Sequence, residues 1–360
     1  MSAATSLDVA RRAGVSQSAV SRAFTPGASV APATRARVLA AAAELGYRPN
    51  ALARSLITGR SRLIGLVVAY LDNQYYPIAL ERLSNALQAR GYHVLIFMTS
   101  QSAANVDDVL AEILDHQVAG IVMASVAMSS DLARRCDEAG VPVVLFNRTQ
   151  DDPRLSAVAS DNRDGGRRLG ALLAAGPWRR IGYIAGWEGA STQRDREAGF
   201  REGLAAGGKA LAARTVGDYD FARARDAARR MFARCDRPDA VFVANDHMAI
   251  AAMDVIRFEL GLRAPEDVAV VSYDDVPQAA WPAYSITTIR QPTDAMVAAT
   301  VDALMARIEQ GDPTPRRVAL RGPLILRRSA PAPAGWTPEH PDDAPREDSD
   351  EGLRPAVQHA

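Results

Sequence analysis

Apolar residues in the first sixty positions recur at helical spacing in three short stretches. Thr5 and Asp8 have the spacing of a capping box, Leu7, Val9, Ala10 and Ala13 form one apolar side, and Gly14 is the stop. After the turn Gly14-Val15-Ser16, the segment from Gln17 to Phe24 sets Ala19, Val20 and Ala23 inward and Gln17, Ser18 and Arg22 outward. A third helix follows Pro32, running from Ala33 to Leu45 with Val38, Leu39, Ala42 and Leu45 closing the core and Gly46 beyond its end. Two short helices joined by a tight glycine-containing turn are the helix-turn-helix arrangement. The second helix of such a pair fits the major groove, where polar side chains near its start meet base edges. Gln17, Ser18 and Arg22 are the candidates there, because Arg pairs bidentately with guanine and Gln with adenine. A small helical bundle with a solvated polar face has the same pattern.

The next segment, Ala51-Leu52-Ala53-Arg54-Ser55-Leu56-Ile57, has Asn50 as its N-cap and Gly59 as its stop. Helices shorter than about 12–15 residues are marginal in water, so this one needs a partner. A helix that forms only against its twin and against DNA couples folding to binding, with Leu56 as the apolar wedge that parts a base step in the minor groove. The alternative is a linker helix whose Leu56 docks on the following domain.

From Arg62 onward short apolar runs alternate with helical patterns, which predicts repeated βα units and parallel sheets. Strands are expected at 63–69, 94–98, 120–124, 141–146, 181–185, 240–244 and 268–273, and a helix over 77–90 with Ile78, Leu83 and Leu87 inward. That many elements exceed one ordinary sheet, so two lobes are expected with a ligand cleft between them. Open α/β sheets bind ligands outside the carboxyl ends of their strands. Those ends carry Asp72-Asn73 with Tyr75-Tyr76, Asn147-Arg148, Asn245-Asp246 and Asp274-Asp275. Carboxylate, amide and guanidinium groups beside aromatic faces suit a polyhydroxylated ligand, although each residue singly is more often a turn-former or helix cap.

Charge sharpens the partition. The chain sums to zero, with 42 basic and 42 acidic residues. Residues 1–60 nevertheless hold eight arginines against Asp8 and Glu44, a net of +6, and residues 329–360 have a net of −5, two arginines against seven acids. A basic end is the electrostatic footprint of a nucleic-acid partner. The segment from Ser329 is rich in Pro, Asp and Glu and reads as a disordered acidic tail; it has no leucine heptads, so a dimer is expected rather than a coiled-coil tetramer. Cys136 and Cys235 form no CxxC and suit reduced thiols, and no secretory signal or membrane-length apolar run is present, which points to the cytoplasm. No GxGxxG after a strand, no GxxxxGK[ST] and no GxSxG occurs, and His93, His116 and His247 stand singly. Asp164-Gly165-Gly166 reads as a helix start. Neither a catalytic centre, nor a metal site, nor a cofactor is expected.

The runs LDVARRAGVSQSAVSRAF and TRARVLAAAAELGYRPNALARSL resemble the headpiece and hinge helix of the LacI/GalR family of bacterial transcription regulators, over nearly all of residues 5–58. LDNQYYPIALERLSNAL, VVLFNR, SDNRDGG, RDREAGF, VFVANDHMAIAAM and VAVVSYDDVP resemble that family's effector-binding core, which is related to periplasmic sugar-binding proteins. The resemblance implies an α/β chain of four parts: a helix-turn-helix domain at 1–47, a hinge helix and linker at 48–60, a two-lobed effector-binding and dimerisation domain with parallel sheets at 61–328, and the acidic tail at 329–360. It implies a homodimer on a pseudo-palindromic operator, contacted by Gln17, Ser18, Ser21, Arg22, Asn50, Ala53, Arg54 and Leu56. It further implies a small effector, a sugar or sugar derivative, anchored by Arg196 and Asp274, hydrogen-bonded by Asn147, Asp161 and Asn245, and stacked on Tyr75, Tyr76, Tyr219 and Trp281. Asn147 stands where the family often has Asp, and Gln74 where Pro is usual. The rival expectation is a solute-binding protein with the same two lobes and no DNA function.

Overall fold

The structure, a computed structural model, describes residues 4–25, 27–48, 61–99, 103–126, 129–337, 340 and 343. The chain divides into two compact units, Met1–Arg62 and Leu63–Ala360.

The first unit contains α1 (Ser6–Ala13), α2 (Gln17–Ala23) and α3 (Pro32–Glu44). The predicted capping box is present: Thr5 accepts from the Asp8 amide and Asp8 accepts from the Thr5 amide. Gly14 ends α1 at φ 65°, the left-handed conformation that glycine adopts without a Cβ penalty, and Ser16 then caps α2. Val9, Ala10, Ala13, Val20, Ala23, Val38, Ala41 and Ala42 make the core, and Phe24 meets Tyr47 edge to face at 5.9 Å. Leu7, Leu39 and Leu45 were expected inside but are 45, 45 and 37 % exposed. On α3 the inward positions i, i+3 and i+4 belong to Val38, Ala41 and Ala42, which turns Leu39 away, and Leu45 falls beyond the helix as its C-cap. The expected hinge helix, with Asn50, Ala53, Arg54 and Leu56, lies outside the described residues.

The second unit holds two six-stranded sheets of equivalent topology. In the first lobe β1 (Leu63–Val68), β2 (His93–Met98), β3 (Gly120–Ala124), β4 (Val143–Phe146) and β5 (Ser156–Ser160) lie in the order β5-β4-β3-β1-β2, with β11 (Arg317–Leu320) beside β5. In the second lobe β6 (Ile181–Ala185), β7 (Leu211–Val216), β8 (Ala240–Val243), β9 (Ala269–Asp274) and β10 (Thr287–Arg290) lie in the order β10-β9-β8-β6-β7, with the short antiparallel β12 (Leu324–Ile325) beside β10. Every other pairing is parallel, so the interior strands are continuous Val/Ile-rich runs buried on both faces. In each lobe the strand order reverses beside its first strand, which makes two crevices, at β1/β3 and β6/β8, of the kind in which open α/β sheets bind ligands.

Helices α4 (Tyr75–Ala89), α5 (Ala103–Asp115), α6 (Ser130–Glu138) and α11 (Thr293–Gln310) serve the first lobe; α7 (Asn162–Ala175), α8 (Ser191–Ala206), α9 (Phe221–Phe232) and α10 (Asp246–Asp254) serve the second. Helices α7 and α8 touch backbone to backbone. A Cβ at Gly199 would stand 1.9 Å from the Arg163 carbonyl oxygen, and one at Gly203 2.0 Å from that of Arg167. This contact fixes where the first turns of α8 project. The Asp164-Gly165-Gly166 run is a helix start, as expected.

Residues 329–337 do not begin a free tail. Ser329 and Ala330 are buried, the Val270 amide donates to the Ser329 carbonyl (2.9 Å), and Ser329 donates back to Ser285 (2.9 Å). Composition overlooked this because backbone bonds need no apolar side chain. Asp343 is likewise buried, accepting from Arg168 (2.8 Å) and the Leu324 amide (2.8 Å). Among the described residues no helix is long and apolar enough to cross a membrane.

Candidate functional site

Two surfaces carry the chemistry. On α2, Gln17, Ser18, Ser21 and Arg22 are all exposed on the side opposite buried Val20 and Ala23. No acidic residue lies on this helix. Gln17 donates to Ser6 (2.8 Å), which steadies it without covering it. Arg35 is not part of this face, since its guanidinium donates to the Ala23 (2.7 Å) and Ala28 (3.2 Å) carbonyls and closes the turn after α2.

In the second lobe the polar cluster is built around Arg196. The glycine contact between α7 and α8 places it so that Nε donates to Asn162 (2.8 Å), Nη1 to the Ala244 carbonyl at the end of β8 (2.6 Å) and Nη2 to Asp274 at the end of β9 (3.2 Å). Its guanidinium lies 3.8 Å from the Tyr273 ring centroid. Burial works against its charge, but Asp274 and three nearby tyrosines outweigh that and hold Arg196 above its ordinary value. Asp274 also accepts from Gln291 (2.8 Å). Burial raises Asp274, while Arg196 and the amide donors resist the rise. Behind it Asp246 accepts from the Val276 amide and from Thr288, both at 2.9 Å. Burial, with Asp274 and Asp275 close by, pushes Asp246 up to about 8. Tyr219, at φ 57°, hydrogen-bonds Thr192 at 3.2 Å.

The first lobe answers with Tyr76, whose hydroxyl hydrogen-bonds Ser125 and accepts from Asn147 Nδ2 (3.0 Å). Asn147 ends β4 at φ 72°, and Asp274 ends its counterpart β9 at φ 117°. Positive φ at non-glycine residues is strain that clusters at functional sites. Beyond Asn147 stands Arg148, 4 % exposed, its guanidinium 5.2 Å from the Trp187 ring centroid of the other lobe. None of its three guanidinium nitrogens has a hydrogen-bond partner among the described residues, nor does Asn147 Oδ1. The lobes meet through Thr149, whose amide donates to Ser191 Oγ (2.9 Å), and through Asp72 facing His247 at 3.6 Å. Burial keeps His247 below its usual value, with Asp72 opposing.

The structure thus brings Tyr75, Tyr76, Asn147, Arg196, Tyr219 and Asp274 to the strand ends where the lobes face each other, and all are buried. Two cavities lie beside them. Tyr75, Asp274 and Gln291 line one of about 280 Å³; Arg148, Trp187 and Ser191 line another of about 180 Å³. Asp161 and Asn245 accept the Asp164 and Met248 amides as the N-caps of α7 and α10. Trp281 follows the turn Pro277–Ala280 and is 52 % exposed. Sequence reasoning set Asn73 and Arg148 at the strand ends without giving either a role of its own, and did not single out Asn162 or Ser191. Arg148 was legible, because it adjoins Asn147 at a strand end; Ser191 was not, since nothing local marks a serine in the first turn of a helix.

A helix-turn-helix unit with an exposed polar face, joined to two α/β lobes that face each other through buried polar groups, defines a DNA-binding transcription regulator. Residues 5–50 match the lacI family of bacterial regulatory proteins, and residues 169–330 match a periplasmic binding protein-like domain. The chain is 34 % identical over 330 residues to the HTH-type transcriptional regulator CelR of Thermobifida fusca, covering 89 % of this chain and 96 % of that one. Among solved structures, the CelR–cellobiose complex aligns with TM-score 0.68 and 32 % identity over 91 % of this chain and 99 % of its own. The lac repressor dimer bound to operator and the anti-inducer ONPF aligns with TM-score 0.82 and 28 % identity, over 92 % of this chain and 100 % of its own. The chain belongs to the lacI family and is a DNA-binding transcriptional regulator. A solute receptor without DNA function is set aside, because the match to transcription regulators runs through the headpiece as well as the lobes.

Proposed function

We propose that this regulator is a repressor that binds a pseudo-palindromic operator as a homodimer and is controlled by a small carbohydrate or carbohydrate derivative held between its lobes. It acts in the cytoplasm, at the nucleoid when on its operator, and performs no catalysis. Gln17, Ser18, Ser21 and Arg22 read the major groove, while Asn50, Ala53, Arg54 and Leu56 serve the operator centre. Arg196, Asp274, Asn147, Tyr75, Tyr76 and Tyr219 form the effector's surroundings. Asp161 and Asn245 support them as helix caps. Trp281, 52 % exposed, is the further aromatic face expected to stack on the ligand.

The observation that carries this reading is the meeting of the lobes through polar side chains. Asp72 and Thr149 reach His247 and Ser191 across the cleft, so a ligand bonded to both sides changes the balance between closed and open lobes. Moving a 1:99 equilibrium to 99:1 takes about 5.5 kcal/mol of preference, and partial control takes less. The relatives support the ligand class, since one is solved with cellobiose and one with the anti-inducer ONPF.

Selecting bound duplexes from a random DNA library with the full-length protein tests the DNA half. The expected outcome is enrichment of a two-fold repeated half-site, and enrichment of nothing above background contradicts it. Arg22→Ala should then relax the preference at one position of each half-site by about 1–3 kcal/mol. An equal loss on all sequences would reassign Arg22 to phosphate contact.

A further inference from the structure

Arg148 is a buried cation without an acceptor among the described residues. A guanidinium has five N–H donors, and burying an ion without a partner is among the most unfavourable arrangements in a folded chain. Arg148 is 4 % exposed, and none of its three guanidinium nitrogens has an acceptor among the described residues. The Trp187 ring at 5.2 Å offers the cation a face but no hydrogen bond.

A second, independent feature faces the same cavity. Helix α8 has 16 residues; its N-cap is Ala190, which supplies no side-chain acceptor, and no acidic residue stands in its first turn. The opening amides of any helix lack intrahelical acceptors and carry partial positive charge. Ser191, the first residue of α8, lines the cavity of about 180 Å³ together with Arg148, Trp187 and Thr149. The other charged lining residues are Arg194, which is exposed and donates to the Gly189 carbonyl (3.2 Å), and Asp151, also exposed. Deeper in the cleft, Asp274 offsets Arg196. Nothing described offsets Arg148.

We propose that the effector is anionic, and that a carboxylate or phosphate group on it sits between the Arg148 guanidinium and the N-terminus of α8, flanked by Trp187 and Ser191. This rests on the effector-controlled reading above and names the chemical class of its ligand. An oxyanion satisfies both features at once, accepting from the guanidinium fork and from helix amides. The neutral part of the ligand then faces Asn147 Oδ1, the remaining unpartnered acceptor beside it. A neutral ligand would supply acceptors yet leave the buried charge uncompensated.

The test is the melting temperature of the full-length protein titrated with sodium sulfate against sodium chloride of equal ionic strength, for wild type, Arg148→Gln and Arg148→Lys. Sulfate is expected to stabilise wild type saturably, Arg148→Gln to weaken this about 10–100-fold, and Arg148→Lys to retain part of it. No saturable effect in wild type, or an equal effect in Arg148→Gln, overturns the proposal. Gluconate, glucuronate and glucose 6-phosphate then separate carboxylate from phosphate as the source, each scored by operator affinity. Glucose and cellobiose are the neutral arm. A neutral sugar that shifts operator affinity equally in wild type and Arg148→Gln overturns the anionic effector while leaving effector control standing. Saturable, Arg148-dependent sulfate binding supports the anion site even where no sugar of either arm alters operator affinity, and that result would count against effector control alone.

Discussion

The two lobes share a topology but not a state of completion. In the second, the charged groups at the strand ends are paired within the lobe: Arg196 has three partners, Asp274 accepts from Arg196 and Gln291, and Asp275 pairs with Arg290 (2.6 Å) and Arg327 (2.7 Å), while Gln291 Oε1 and His247 Nε2 keep no hydrogen-bond partner among the described residues. At the equivalent strand end of the first lobe, Asn147 and Arg148 keep an acceptor and a full guanidinium unpaired. The second lobe therefore holds its buried charges paired, and the first lobe leaves one buried cation without an acceptor among the described residues. Residues expected to anchor the effector, above all Arg196 and Asp274, are also the residues that hold the second lobe together.

That contrast can be broken by substitution. The largest effect is expected from Asp274→Ala, which strands Arg196 as a buried unpaired cation and should cost about 3–5 kcal/mol of effector-domain stability, read by urea unfolding. A cost below that of an exposed pair would mean the second lobe is not built around this contact. Next comes Gly199→Ala, whose Cβ meets the Arg163 carbonyl at 1.9 Å and forces α7 and α8 apart. Overpacking of this kind costs about 1–3 kcal/mol, and it should also displace Arg196, three residues earlier on α8. Unchanged stability would show that the helix contact is slack.

Per pH unit, the smallest expected effect is a slope of stability against pH. Asp246 has its folded value raised to about 8 from an ordinary carboxyl value near 4. The folded state therefore binds the extra proton, and stability falls as pH rises from about 4 to about 8, by at most about 1.4 kcal/mol per pH unit for one group. His247, lowered by burial, contributes the opposite slope near its own titration. The check is the difference between wild type and Asp246→Asn, in which the falling component should vanish. Parallel pH profiles for the two proteins would contradict the assignment.

Most of the architecture was legible because its signals are periodic. The headpiece caps, the glycine stop at Gly14 and the interior strands β1, β3, β6, β8 and β9 follow directly from apolar spacing. What escaped is what periodicity does not encode. Strands β10, β11 and β12 are two to four residues long and lie where the chain passes between the lobes, with Thr and Arg among their residues, so no local pattern distinguishes them from loops. The burial of Ser329 rests on backbone pairing contributed by distant residues. At the site, residue type at a strand end led to the buried polar positions Asn147, Tyr76 and Asp274. It did not show that Asp161 and Asn245 also cap helices, because a polar residue just before a helix reads alike in both roles. It could not rank Arg148 above Arg196, since only the fold shows which guanidinium found partners.

Thermal unfolding of ligand-free Arg148→Met and Arg196→Met, side by side with wild type, tests the division between the lobes most directly. A methionine at 148 removes an uncompensated buried charge and should raise the melting temperature, whereas a methionine at 196 removes the hub of a satisfied cluster and should lower it. Opposite signs are the predicted result, and a fall in both variants would contradict the account.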